Sequence, residues 1–101
     1  MSIQLFDIEY VSSLSDVDPE NDNLDVHVRL SDGRVYSFLI ATPNNIYKCM
    51  TNDGNEYFFG TPPVFVRVLD QMHVETALRA LLSEYDGRWL ETYGTLQIAT
   101  S

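Results

Sequence analysis

"LDVHVRLSDGRVYSFLIA", residues 24–41, has the pattern of a β-hairpin. Leu24, Val26, Val28 and Leu30 alternate with Asp25, His27 and Arg29. A period of two puts the apolar set on one face of a strand and the polar set on the other. Ser31-Asp32-Gly33-Arg34 is a tight-turn signal, because Gly33 tolerates a positive φ. "VYSFLIA" (35–41) is then the returning strand of a hairpin.

Before the hairpin, "IQLFDIEYV" (3–11) reads as a first strand. Between it and the hairpin lies "SDVDPENDNLD" (15–25), a polar loop broken by Pro19. Beyond the hairpin, "TPNN" (42–45) interrupts the pattern. "IYKCM" (46–50) and "EYFFG" (56–60) flank "TNDGN", and Asp53-Gly54 is a second turn signal, so a second hairpin is predicted. Pro62-Pro63 resets the chain, and "VFVRVL" (64–69) is apolar and β-branched enough for a central strand. Asp70 has the character of a helix N-cap. Val74, Ala77, Leu78 and Leu81 follow at i, i+3, i+4 and i+7, an apolar stripe that predicts a helix from Asp70 to about Tyr85. Glu75 and Arg79 pair across one turn on its outer side. Gly87 ends or bends that helix. "RWLETYG" (88–94) reads as one more helical turn or as a short strand, and residues 95–101 are expected to fray. The predicted class is α+β: an antiparallel, meander-like sheet of five or six strands with one main C-terminal helix packed on one face.

A chain of 101 residues, 45% of them hydrophobic, supports one compact domain over residues 1–101 and is too short for two. No apolar run approaches the roughly 20 residues needed to cross a bilayer. No signal-peptide pattern follows Met1. Cys49 is the single cysteine, which excludes an internal disulfide. The expected compartment is the cytoplasm.

The formal charge is −9, and its placement is uneven. Residues 1–28 hold seven acids (Asp7, Glu9, Asp16, Asp18, Glu20, Asp22, Asp25) and no base, whereas residues 29–101 hold eight acids and six bases. Such a field repels nucleic acid and anionic lipid and attracts basic proteins.

The acidic stretch invites a calcium reading, with Asp16, Asp18, Glu20 and Asp22 at positions 1, 3, 5 and 7 of a loop. An EF-hand also needs Gly at position 6 and Glu at position 12. Those places hold Asn21 and His27. His27 is placed on the polar face of a strand and His73 in the first turn of a helix, where each reads as a surface or boundary residue. Cys49 has Lys48 beside it but no base in a nearby motif, and reads as a small packing residue. Two histidines and one cysteine form no zinc-spaced cluster. Carboxylates are plentiful enough for a hydrolytic pair, yet so small a domain leaves little room for a deep cleft. Gly54 and Gly60 belong to no phosphate loop. No catalytic residue, metal or cofactor is therefore expected.

Aromatic residues make up 12% of the chain, enough to serve both core and surface. Phe38, Phe58, Phe59, Phe65 and Trp89 are expected in the core. Tyr10, Tyr36, Tyr47, Tyr57 and Tyr93 are expected half exposed, forming a tyrosine rim beside the carboxylates. The candidate partner-binding residues are Asp16, Asp18, Glu20, Asp22, Asp25, Tyr10 and Tyr36.

"EYFFGTPPVFVRVLD" and "ETALRALLSEYDGRWLETYG", within 56–94, resemble small bacterial immunity proteins of polymorphic-toxin and contact-dependent growth inhibition systems. The resemblance is carried by Tyr57, Phe58, Gly60, Pro62, Pro63, Trp89, Leu90, Tyr93 and Gly94. "VRLSDGRVYSF" (28–38) is similar to the first hairpin of such proteins. The matching residues have the character of fold determinants. The resemblance implies a cytosolic antidote that binds one cognate toxin domain tightly and blocks its active site or its access to substrate. A monomer within the complex is expected. Many such toxins are nucleases whose sites are basic because they hold phosphates, and an acidic inhibitor imitates those phosphates. A non-catalytic acidic adaptor domain uses the same surface physics without a toxin. A small enzyme is the third reading, and it lacks a catalytic constellation in the sequence.

Overall fold

A computed structural model describes residues 5–59, 62–84 and 88–97. The fold is α+β, a five-stranded sheet with helices. Strands β1 (Leu5–Tyr10), β2 (Asn23–Leu30) and β3 (Val35–Ala41) form an antiparallel meander. Helix α1 (Pro43–Asp53) and the short strand β4 (Val64–Phe65) follow. Helix α2 (Gln71–Ser83), helix α3 (Trp89–Tyr93) and strand β5 (Gly94–Leu96) complete the described chain. The far edge of β3 is shared. β5 runs antiparallel beside Tyr36–Phe38, and β4 runs parallel beside Ile40 and Ala41.

The β2–β3 hairpin follows from the alternation. Leu24, Val26 and Val28 stand opposite Ile40, Phe38 and Tyr36, and all six are buried. At the turn, Gly33 adopts φ 92° and Asp32 accepts the Arg34 backbone N–H at 3.0 Å. Ile8 and Tyr10 of β1 lie opposite Val28 and Val26, which extends the apolar face. Helix α2 covers that face with Val74, Leu78, Leu81 and Leu82, while Ala77 is half-buried. Leu90 of α3 closes the same core.

The start of α2 is fixed by Asp70, whose Oδ1 accepts the His73 backbone N–H at 2.8 Å and lies 2.7 Å from His73 Nδ1. The backbone hydrogen bond first, and then the His73 side chain, hold the Asp70 carboxyl below its ordinary range. A carboxyl depressed in the folded state stabilises the fold above its unfolded pKa of about 4 and loses that effect as pH falls through the lower folded value. Asp70→Asn should therefore flatten the acid limb of the stability curve. Urea midpoints of both proteins between about pH 2 and pH 6 check this; parallel curves would show that Asp70 does not contribute.

The second predicted hairpin is corrected: residues 43–53 form α1. Thr42 accepts the Asn45 backbone N–H at 3.4 Å and Pro43 occupies the first turn. The interrupting "TPNN" is thus a helix start. Gly54, at φ 70°, is the left-handed C-cap, and its N–H reaches Met50 O and Thr51 O. Ile46, Cys49 and Met50 are half-buried at i, i+3 and i+4, a helical spacing inside a run that looked β-like.

The predicted central strand 64–69 is also corrected. Only Val64 and Phe65 pair, at an edge; Val66 and Leu69 then turn into the core. "RWLETYG" holds both of its alternatives in succession, a helical turn and then the first residue of a strand. Residues 95 and 96 belong to β5, and Gln97 N donates to Val35 O at 2.8 Å, so the expected fraying does not extend to them. The expectations at Ile3, Gln4, Gly60, Tyr85, Gly87 and 98–101 lie outside the described residues.

Thr42 also joins α1 to the acidic segment. It is buried, and its hydroxyl accepts the Asp22 backbone N–H at 3.3 Å. Thr42→Ala should lose roughly 1–2 kcal/mol of stability, a cap plus one buried hydrogen bond. Thr42→Ser should retain most of it. Urea denaturation distinguishes these outcomes, and an unchanged Thr42→Ala protein would remove the cap from the account.

Candidate protein-interaction surface

The acidic segment is a built loop. A single 3-10 turn at Leu14–Asp16 opens it. Asp18 Oδ1 accepts the Glu20 N–H at 3.0 Å. Asp22 Oδ2 accepts the Asp18 N–H at 3.0 Å and its Oδ1 the Asn23 N–H at 2.9 Å. These are local carboxylate-to-backbone turns of the kind that Asp favours. The loop is tied outward as well. Leu69 N donates to Pro19 O at 2.8 Å, Asn44 Nδ2 to Glu20 O at 3.3 Å, and Asn23 Nδ2 to Asn45 Oδ1 at 2.6 Å. The loop therefore sits on the N-terminus of α1, at the end of the sheet where β3 stops.

Asp16, Asp18 and Glu20 are exposed there, and Asp22 is half-buried. Asp25 is exposed on the polar face of β2, opposite Leu39, apart from the loop. The structure thus gathers four of the five candidate carboxylates and sets the fifth on the adjoining sheet face. Because Asp18 and Asp22 turn their oxygens onto their own backbone, calcium should not displace them. Melting temperatures with and without millimolar calcium should coincide, and an upward shift that a chelator abolishes would overturn this. Among the described residues, no group of three or more His, Cys, Asp or Glu is placed to hold a metal.

The tyrosines divide. Tyr36, expected half exposed, is fully buried, so it is corrected from rim to core. Its hydroxyl donates to Glu91 Oε1 at 2.5 Å and accepts from Arg34 Nη1 at 3.2 Å, which locks the hairpin to α3. Burial first, and then the Glu91 carboxylate, raise its pKa. Period-two alternation carried this information, since Tyr36 shares the phase of Phe38 and Ile40. Tyr10 is half-buried on the core face of β1, with its hydroxyl buried and without a partner among the described residues. Burial, then the charges of Glu75 and Asp70, raise its pKa.

The residues that sequence reasoning misplaced are aromatic. Phe58, Phe59 and Phe65, expected in the core, are 40%, 83% and 50% exposed. The Tyr57 and Phe59 rings stack at 5.4 Å with planes 9° apart, and Tyr47 projects from α1. A signal was present: "YFF" follows the polar run "TNDGNE" and shows neither alternation nor a helical stripe.

The two histidines lie on opposite sides of the sheet. His27 is on the polar face, 4.0 Å from Glu9 Oε1, and His73 is on the helix that covers the other face. Cys49 is half-buried in α1, with Sγ 4.0 Å from Asn45 Oδ1. Among the described residues, no helix is long and apolar enough to cross a membrane. No protein-family model, curated protein or solved structure matches this chain.

Proposed function

We propose that this chain is an immunity protein, a cytosolic antidote that acts by binding rather than by catalysis. Its partner is a basic toxin domain, of which a nuclease is the leading type. The observation that carries the reading is the segregation of charge: seven acids and no base in residues 1–28, with Asp16, Asp18, Glu20 and Asp25 exposed. Phosphate-binding sites are basic, and carboxylates on a fixed loop imitate phosphates and speed encounter. The hydrogen bonds that tie the loop to α1 support the reading further, because a preformed loop gives up little entropy on binding. The resemblance of 28–38 and 56–94 to small bacterial immunity proteins agrees with it.

The test is genetic and direct. The C-terminal domain encoded immediately upstream should arrest growth when expressed alone, and co-expression of this chain should restore growth. Purified together, the two should elute as one complex. An upstream domain that is harmless, or toxic but unbound and unrelieved, would sink the immunity reading.

A further inference from the structure

We infer that the partner-facing surface extends from the acidic loop along α1 to the aromatic run at 57–59, and that this arm seats in an apolar recess on the basic partner. The inference rests on the proposed immunity function and adds to it the part of the surface that supplies residence time.

Helix α1 is 11 residues long and buries only Asn45 fully. Helices shorter than about 12–15 residues are marginal in water and ordinarily gain their stability by burying a face. This one is held at its ends, by the Thr42 cap and by Gly54, while Tyr47 stands 70% exposed. Just beyond its C-cap, Tyr57 and Phe59 stack on each other in solvent. Exposed rings that have already given up their rotational freedom to a neighbour lose little more on docking.

Charge selects the occupant. Residues 42–65 carry one base, Lys48, and two acids, Asp53 and Glu56, so the arm is nearly neutral. The adjoining loop is strongly acidic and is bonded to the first turn of α1. An apolar, aromatic centre beside a charged margin is the usual anatomy of a protein interface. A second copy of this chain fits poorly, because two copies facing through this end would bring two acidic loops together, each on a molecule of charge −9. A basic protein meets both halves of the surface.

The probe is the C-terminal domain encoded immediately upstream, immobilised for surface-binding kinetics. The analytes are the wild-type protein, Tyr57→Ser, Phe59→Ser and, as a control at the opposite end of the sheet, Leu96→Ser. Phe59→Ser and Tyr57→Ser should each raise the dissociation rate about tenfold or more and leave the association rate within about twofold. Leu96→Ser should bind as wild type. Melting curves should show the two arm variants as stable as the parent, since both rings are exposed. Wild-type dissociation from both arm variants would overturn the arm and leave the immunity reading standing. A wild-type protein that does not bind the domain at all would overturn both. In sedimentation velocity, a dimer that Phe59→Ser dissolves would reassign the arm to a second copy of the chain and overturn the basic partner as its occupant.

Discussion

Leu78→Ala should destabilise the protein by about 2–5 kcal/mol, the range for a leucine truncated in a packed core. Leu78 is 1% exposed, in the middle of α2, between Val74 and the Leu81–Leu82 pair. The sheet face beneath carries Val26, Val28 and Phe38, all effectively inaccessible to solvent. A strand core and a helix anchored by the Asp70 cap cannot collapse freely into the space that a truncation leaves, so the cavity adds to the lost transfer energy. For a domain of this size, each kcal/mol corresponds to roughly 4–8 °C in melting temperature. Met72→Ala is the matched control. Met72 is 67% exposed on the same helix, and its truncation should change stability by no more than about 0.5 kcal/mol. Paired urea titrations check both. A loss below about half a kcal/mol for Leu78→Ala would place that side chain at the surface and refute the apolar stripe.

The stripe was legible because burial and period coincide in it. The same holds for the β2–β3 hairpin, where alternation, turn chemistry and burial agree residue by residue. Residues 42–59 are ambiguous in sequence for a definable reason. Their propensities are mixed, and Asp53-Gly54 serves equally as a hairpin turn or as a helix C-cap. What separates the two is the start of the segment. Thr42-Pro43 caps a helix and cannot lead a central strand, so the break in alternation at "TPNN" marks a helix start. Composition alone puts the aromatics at 58, 59 and 65 inside, and it is a weak guide because folded proteins expose much apolar surface. Tyr36 failed in the other direction. Its hydroxyl suggests a wet rim, but it donates a hydrogen bond to Glu91, 55 positions away in sequence. No local pattern announces a partner at that separation. Within the acidic stretch, the density of carboxylates was plain, whereas their division of labour was not, because it depends on which oxygens meet backbone N–H groups.

That division separates the carboxylates that hold the loop from those that only face solvent. Asp18 and Asp22 hold the loop's own backbone, so replacing them would mix folding with binding. Asp16, Glu20 and Asp25 are exposed, and their carboxylates make no hydrogen bond or ion pair among the described residues. Asp16→Asn, Glu20→Gln and Asp25→Asn together remove three negative charges from the loop and the adjoining strand and leave the turn intact. The isolated triple variant should be as stable as the parent or slightly more so, since mutual repulsion is relieved. Against the proposed basic toxin domain, its association rate at low salt should fall about tenfold, within the range that steering by a charged surface supplies. At about 1 M salt the Debye length shrinks to about 3 Å, and the two association rates should converge. Dissociation should change less, as expected where the aromatic arm proposed above supplies the residence time. Stopped-flow mixing at both salt concentrations measures each quantity. A variant that melts markedly earlier would make these carboxylates part of the fold. A stable variant with parental rates at both salt concentrations would reduce the cluster to solvation, and the basic character of the partner would lose its support.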